Sequence, residues 1–142
     1  MNVSARNVFK GKITGLVNGA VNAEIELTTT GGDKIVAIVT DGSVKSLGLA
    51  LGKEVIAYFK APWVMLLAGD AKVRFSARNQ LAGKVTTLTK GGVNTEVGIE
   101  LAGGTVVHAV ITNESVLELG LKVGVAATAL IKASNIVLGV PA

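Results

Sequence analysis

The sequence consists of two copies of one segment. Ser4-Ala5-Arg6-Asn7 returns as Ser76-Ala77-Arg78-Asn79, and the match continues without a gap for about sixty residues. When 4–67 is aligned with 76–139, about 26 of the 64 pairs are identical, and about a third of the others exchange one apolar residue for another. The period is too long for a solenoid repeat, so we predict two copies of a small domain, at 1–69 and 73–142.

Chain length and hydropathy limit the class of protein. The chain has 142 residues, and halves of roughly 65 residues bury too little surface to be robust alone, which favours an oligomer. Apolar residues are numerous, but no uninterrupted run approaches the ~20 residues of a membrane helix. The N-terminus also lacks the basic and apolar regions of a signal peptide. We therefore expect a cytoplasmic protein with no membrane partner.

Cysteine and histidine content narrows the possible ligands. The chain has no cysteine and one histidine, His108, which excludes disulfides and leaves almost no ligands for a bare metal cation. The net charge of +4 and the pI near 9.5 favour an anionic partner without identifying it.

The hydrophobic periodicity is mostly that of β-strands. In the first repeat it predicts strands at 7–16, 21–27, 34–40, 53–60 and 64–67, with a short helix at 41–48. In the second it predicts strands at 80–88, 93–101, 105–112, 125–132 and 136–138, with a helix at 115–119. This order suggests an all-β chain of two tandem OB-fold barrels, each with five short strands and one short helix. Another small barrel or sandwich stays open, and the polar segment 69–72 serves as a short linker.

An OB-fold with a basic surface raises single-stranded nucleic acid as an alternative ligand. Such binding relies on aromatic rings that stack on bases, each worth ~1–3 kcal/mol. The aromatic residues here are few, and Trp63 and Tyr58 align with Asn135 and Leu130. Because a duplicated nucleic-acid surface would keep its stacking residues in both copies, we expect no nucleic-acid partner.

The duplication instead retains hydrogen-bond donors and cations. In the first repeat these are Ser4, Arg6, Asn7, Thr40, Ser43, Lys60 and Ala61; in the second they are Ser76, Arg78, Asn79, Thr112, Ser115, Lys132 and Ala133. A small tetrahedral dianion offers only acceptors, so this set suits an oxyanion site. Thr40 and Ser43 also lie at the start of the predicted helix, where a capping role alone could explain them. Lys60 and Lys132 could likewise be solubilising charges.

The same residues resemble a known family. The motifs are Ser-Ala-Arg-Asn at Ser4 and Ser76, the Gly-Lys pairs that follow, Thr-x-x-Ser-Val ending at Val44 and Val116, and Lys-Ala at Lys60 and Lys132. Together they resemble the molbindins, proteins built from molybdate-binding Mop domains. The resemblance implies an OB-fold for each half and a cytoplasmic storage protein for molybdate, and also tungstate, at domain and subunit interfaces. Single-domain members assemble six Mop domains, so a di-domain chain is expected to form a trimer.

The resemblance also implies a role for each conserved side chain. Arg6, Arg78, Lys60 and Lys132 would neutralise the dianion. Ser4, Ser76, Thr40, Thr112, Ser43 and Ser115 would donate hydroxyl hydrogen bonds, while Ala61 and Ala133 would contribute backbone N–H groups. The ligand itself is the oxyanion, with no further cofactor.

The two repeats differ at positions that bear on this set. Pro62 aligns with Ser134, so the first repeat lacks the hydroxyl and the backbone N–H that the second repeat has at this position. Val36 aligns with His108, which we interpret as a strand residue rather than a ligand. We therefore predict that the sites built on the two repeats differ in affinity.

No enzymatic signature recurs in both repeats. The chain has no duplicated Ser/His/Asp set and no phosphate-binding Gly-x-x-x-x-Gly-Lys-Ser/Thr loop, so we expect a binding protein and no enzyme. Glu24 and Glu96 recur in strands and are interpreted as solvent-facing or intersubunit residues. The ligand-sensing part of a molybdate-responsive regulator or transporter is a further alternative, which we disfavour because it would need an attached DNA-binding or ATPase region.

Overall fold

The structure is a computed structural model that describes residues 3–69 and 72–142. The first repeat forms β1 (Asn7–Asn18), β2 (Asn22–Thr29), β3 (Lys34–Thr40), α1 (Asp41–Leu47), β4 (Glu54–Phe59), a 3-10 turn (Ala61–Trp63) and β5 (Met65–Leu67). The second forms β6 (Asn79–Lys90), β7 (Asn94–Leu101), β8 (Val106–Thr112), α2 (Asn113–Leu119), β9 (Ala126–Ile131), a 3-10 turn (Ala133–Asn135) and β10 (Val137–Gly139). The predicted order of strands and helices is confirmed. The predictions that concern residues 1–2 and the middle of the linker, 70–71, fall outside the described residues.

The strands form two five-stranded sheets that exchange their last strands. One sheet has the order β10-β4-β1-β2-β3 and the other β5-β9-β6-β7-β8. Leu138 of β10 pairs with Ala57 of β4, and Leu66 of β5 pairs with Ala129 of β9. The predicted class of two tandem barrels is confirmed, but each sheet is completed by a strand from the other repeat. The division into two separate domains, 1–69 and 73–142, remains a prediction.

The first strand of each repeat is bent so that its sheet can curl. The pairing of β1 with β2 shifts between Ile13 and Gly15, and that of β6 with β7 shifts between Val85 and Thr87. A bulge of this kind increases the local twist and turns the strand. Because β1 and β6 then pair with β4 and β9 on their other side, one long strand joins both parts of each curled sheet.

The hydrophobic core is continuous across the two repeats. Alternate residues of the strands point inward, and Ile25, Leu27, Val97 and Ile99 are fully buried within one cluster that includes residues of both repeats. Burying one such side chain stabilises the fold by about 1.5–3 kcal/mol. The exchanged strands contribute too, since Leu138 is buried in the same cluster. The two repeats are therefore joined by core packing as well as by strand pairing.

Each short helix has a well-defined beginning and end. The Thr40 side chain accepts a hydrogen bond from the Ser43 backbone N–H at 3.1 Å, and Thr112 does the same for Ser115 at 3.1 Å. Gly48 and Gly120 end the helices in the left-handed conformation, at φ 62° and 63°. The described part of the chain contains no helix long and apolar enough to cross a membrane.

Candidate anion-binding clefts

Two clefts lie where the repeats meet, at equivalent positions of the duplication. Cleft A has a volume of about 350 Å³ and is lined by Ser4, Arg6, Lys60, Ala61, Pro62, Glu96 and Val110. Cleft B has a volume of about 530 Å³ and is lined by Ile38, Trp63, Met65, Phe75, Ser76, Ala77, Arg78, Leu130, Lys132, Ala133, Ser134 and Asn135. Each cleft thus combines one predicted Ser, Arg, Lys and Ala set with strand residues of the other repeat.

Strand pairing brings the arginine and the lysine of each set together. In the first sheet Asn7 pairs with Phe59 at the end of the β1–β4 ladder, and Arg6 and Lys60 are the next residues on each side. The second sheet repeats this arrangement with Asn79 and Ile131. Directly opposed residues on antiparallel strands lie about 4.5–5.5 Å apart. The fold therefore concentrates two cations at one sheet end, although 54 positions separate them in the sequence.

The arginine of each cleft pairs with a carboxylate from the other repeat; Glu96 lines cleft A, whereas Glu24 is not among the lining residues of cleft B. Arg6 Nε donates to Glu96 Oε1 at 2.6 Å, and Arg78 forms the equivalent ion pair with Glu24. Both glutamates, interpreted from the sequence as solvent-facing or intersubunit residues, are about one-third exposed and also pair with the arginines across the repeats, a contact that the sequence did not predict. More than half of each arginine side chain is exposed, and exposed ion pairs contribute only about 0–1 kcal/mol. An arriving anion can therefore replace the carboxylate at low cost.

The predicted hydroxyl donors lie just beyond the lining residues, on the same strand faces. Ile38 lines cleft B, and Thr40 follows it on the same face of β3 because alternate strand residues share a face. Val110 and Thr112 have the same relation at cleft A. The two-residue step is about 6.6 Å. This places Thr40 and Ser43 beside cleft B, and Thr112 and Ser115 beside cleft A.

The cap function of these hydroxyl residues is also present. Thr40 Oγ1 lies 2.9 Å from Ser43 Oγ, and Thr112 Oγ1 donates to Ser115 Oγ at 2.8 Å. Neither pair is among the residues that line the clefts in the described ranges. The hydroxyl pairs stand exposed at the strand ends, where a bound anion could reach them without breaking the helix cap.

Asn7 and Asn79 are placed differently from the other predicted site residues. Both are almost fully buried. The Asn7 amide donates to the His108 carbonyl and accepts from the His108 backbone N–H, both at 2.8 Å, and Asn79 makes the same pair of bonds with Val36 at 2.8 and 2.7 Å. Each asparagine thus attaches an outer strand of one repeat to the other repeat. Their burial and these hydrogen bonds give both asparagines a structural role, and their contact with the anion remains a prediction.

Comparison with protein families identifies the repeats. The model of the TOBE domain matches residues 3–66 and 76–138, which together span most of the sequence. The chain belongs to the TOBE domain family. The resemblance to molybdate-related Mop domains that the sequence motifs indicated is thereby confirmed.

Curated relatives of this TOBE protein carry molybdenum in their names. The molybdenum-pterin-binding protein MopA of Rhodobacter capsulatus is 46% identical over 141 residues, covering 99% of this chain and 53% of MopA. Molybdenum-pterin-binding protein 2 of Clostridium pasteurianum is 47% identical over 68 residues, which are 48% of this chain and 100% of that protein. The chain therefore spans about half the length of MopA, and one TOBE repeat corresponds to a complete protein in Clostridium.

A solved structure matches the TOBE pair throughout. It is a structure of the cytoplasmic molybdate-binding protein ModG with molybdate bound, which is 55% identical and superposes with a TM-score of 0.93 over 99% of this chain and 100% of ModG. This agreement supports the two-sheet fold described above.

His108 lies next to the cleft A residues Glu96 and Val110, a relation that sequence reasoning did not predict. It lies in β8, as expected, on the same face as Val110, and its side chain is 18% exposed. Its Nδ1 atom is buried without a hydrogen-bond partner among the described residues and lies 3.8 Å from Glu96 Oε1. Burial lowers the pKa of His108 and the nearby Arg6 charge lowers it further, whereas Glu96 opposes them. The alignment of His108 with Val36 was the only feature of the sequence that distinguished this position.

Proposed function

We propose that this TOBE protein binds molybdate, and tungstate in the same way, in clefts A and B and serves cytoplasmic molybdenum storage and homeostasis. The observation that carries the proposal is the pairing of one arginine and one lysine at a sheet end, in a cleft that the other repeat helps to line. A tetrahedral dianion needs donors on several sides, and the cleft between repeats offers them. The relatives named for molybdenum add independent support.

Binding in cleft A would use each group for its own chemistry. Arg6 turns from Glu96 to the anion and supplies planar, charge-assisted hydrogen bonds, while Lys60 supplies a second positive charge. Ala61 begins a 3-10 turn, where the first backbone N–H groups have no partner within the turn. Ser4 and Thr112 add hydroxyl donors. Nothing in this set acts as a nucleophile or base toward the anion, so the proposed role is binding without catalysis.

Cleft B would bind the same anion with a slightly different set of donors. Ser134 stands where cleft A has Pro62, so cleft B gains one hydroxyl and one backbone N–H. Its wall also carries Trp63 and Phe75, which have no equivalents in cleft A. These differences support the expectation of unequal affinities at the two clefts.

A homotrimer is the proposed assembly, because apolar residues stay exposed at equivalent positions of both repeats. The pairs are Val21 with Val93, Leu51 with Val123 and Met65 with Val137, each residue more than 60% exposed. An apolar surface that recurs in both repeats marks a contact with other copies of the chain. Three tandem chains would bring six TOBE repeats together and place further clefts between subunits.

Equilibrium dialysis of the purified protein against molybdate with excess sulfate tests the proposal, with the oligomer mass taken by light scattering on the same sample. We expect more than one molybdate retained per chain, on a trimer, and loss of most of it in the Arg6→Ala/Arg78→Ala double variant. Absence of retention under sulfate would refute molybdate binding. Oligonucleotide binding would then be tested as the alternative use of a basic OB-fold pair.

A further inference from the structure

Besides the differences in their lining, the two clefts differ at one half-buried position on the strand that faces the arginine. In cleft A the strand that faces Arg6 carries His108, whereas the equivalent strand facing Arg78 carries Val36. The backbone of both positions is held in the same way, by Asn7 and Asn79. The difference therefore lies in the side chain alone.

This position determines which partners are available to the cleft carboxylate. Glu96 is paired with Arg6 and also lies 3.8 Å from His108 Nδ1, slightly beyond hydrogen-bond distance. Glu24 is paired with Arg78 and has only an apolar side chain at the position equivalent to His108. When an anion binds the arginine of cleft B, Glu24 loses its charged partner Arg78. When an anion binds Arg6 in cleft A, a small rotation brings Glu96 within hydrogen-bond distance of His108.

The unpartnered Nδ1 atom of His108 favours a new hydrogen bond to Glu96. His108 Nδ1 is buried and unpartnered within the described ranges, and a buried polar atom without a hydrogen bond costs free energy that a new bond recovers. A neutral imidazole can donate from Nδ1, and a protonated one donates more strongly.

We propose that His108 is a positioning residue of cleft A, which takes over the Glu96 carboxylate when the bound anion draws Arg6 away. This inference rests on the proposed anion binding and assigns a cause to the unequal affinity of the two clefts. Anion binding is strengthened because Arg6 can leave Glu96 without leaving the Glu96 charge unpaired.

The exchange also makes anion binding in cleft A dependent on pH. His108 pairs with Gly98, so Glu96 and Glu100 flank it on the same face of β7, and the charges of Arg6 and Glu96 act on it. Lys60 lines cleft A together with Arg6 and Glu96, while α2 carries Glu114 and Glu118. An anion that neutralises Arg6 removes one cause of the lowered pKa of His108 and leaves Glu96 to raise it. Binding therefore takes up protons, and affinity in cleft A rises as the pH falls through the titration of His108.

The test isolates each cleft before changing the histidine. Molybdate titrations are made in an Arg78→Ala background, which leaves cleft A, and in an Arg6→Ala background, which leaves cleft B. Adding His108→Val to the first background is expected to weaken molybdate binding about three- to tenfold and to abolish the rise in affinity as the pH falls. Adding His108→Asn, whose amide donor replaces Nδ1, should restore affinity but not the pH dependence.

The reciprocal variant tests the same idea as a gain. Val36→His in the Arg6→Ala background should strengthen molybdate binding in cleft B and introduce a pH dependence there. This variant also tests the role of the histidine if His108→Val fails to fold. Unchanged affinity and pH profile in both variants, with the parent clefts still binding, would overturn the role of His108 alone. Loss of binding in both parent backgrounds and in the unmodified protein would instead overturn the proposed function.

Discussion

At the scale of single residues, Asp33 shows how one difference between the repeats creates a contact between them. Its carboxylate accepts hydrogen bonds from the Gly103 N–H at 2.9 Å and the Thr105 N–H at 3.2 Å, and Thr105 is the equivalent residue of the second repeat. Burial raises the pKa of Asp33, but hydrogen bonds from the Thr105 side chain and from both backbone groups outweigh it and hold the pKa below the ordinary 3.8.

This lowered pKa predicts a loss of stability in acid. The contribution of Asp33 is complete above the unfolded pKa near 4 and is lost as the pH falls through the lower folded value. Asp33→Asn should reduce the free energy of unfolding at pH 7 by about 1–2 kcal/mol, because one amide hydrogen would face the Thr105 N–H. Urea unfolding at fixed protein concentration from pH 3 to 7 measures this. Equal acid dependence in both proteins would contradict the assignment to Asp33.

At the scale of elements, strand periodicity predicted nearly all of the fold but not the exchange of β5 and β10. Each exchanged strand has only three residues, Met65–Leu67 and Val137–Gly139, and so short an apolar segment contains no information about its partner. The site was predicted in part for a related reason. Repetition identified Arg6 and Lys60, whereas Glu96 and His108 come from the other repeat, a relation that depends on tertiary packing.

The exchange of β5 and β10 predicts which neighbouring strand is destabilised when a terminal strand is mutated. Leu138→Ala removes a buried side chain from the sheet of the first repeat and should cost about 2–4 kcal/mol of unfolding free energy. Amide hydrogen exchange should rise in β4, the strand with which Leu138 pairs. Leu66→Ala is the matched control and should raise exchange in β9. A rise confined to β9 in the Leu138 variant would mean that the strands are not exchanged.

At the scale of the whole molecule, ligand binding and folding are linked because each cleft exists only when both repeats are folded together. A ligand that binds only the native state raises its stability with the logarithm of the ligand concentration. Residues from both repeats line each cleft, so a bound anion opposes separation of the sheets. Clefts shared between subunits would extend the same linkage to assembly.

Molybdate should therefore raise the melting temperature more than the same concentration of sulfate. Both are tetrahedral dianions, so general screening of the basic chain affects them equally, and the difference reports the fit of the larger anion to the clefts. Differential scanning fluorimetry at constant ionic strength measures both shifts, and the Arg6→Ala/Arg78→Ala variant should show no difference between the anions. Identical shifts in the unmodified protein would refute selectivity.

The crossing of β5 and β10 also bears on how such a chain can evolve. In an ordinary tandem duplication, one copy can degenerate or be lost while the other keeps its fold. Here the deletion of either repeat removes an edge strand from the surviving sheet and one wall from each cleft. Within this chain the two repeats therefore form one folding unit: the copies can diverge in sequence, but the loss of either would leave the other without an edge strand unless a second chain supplied one.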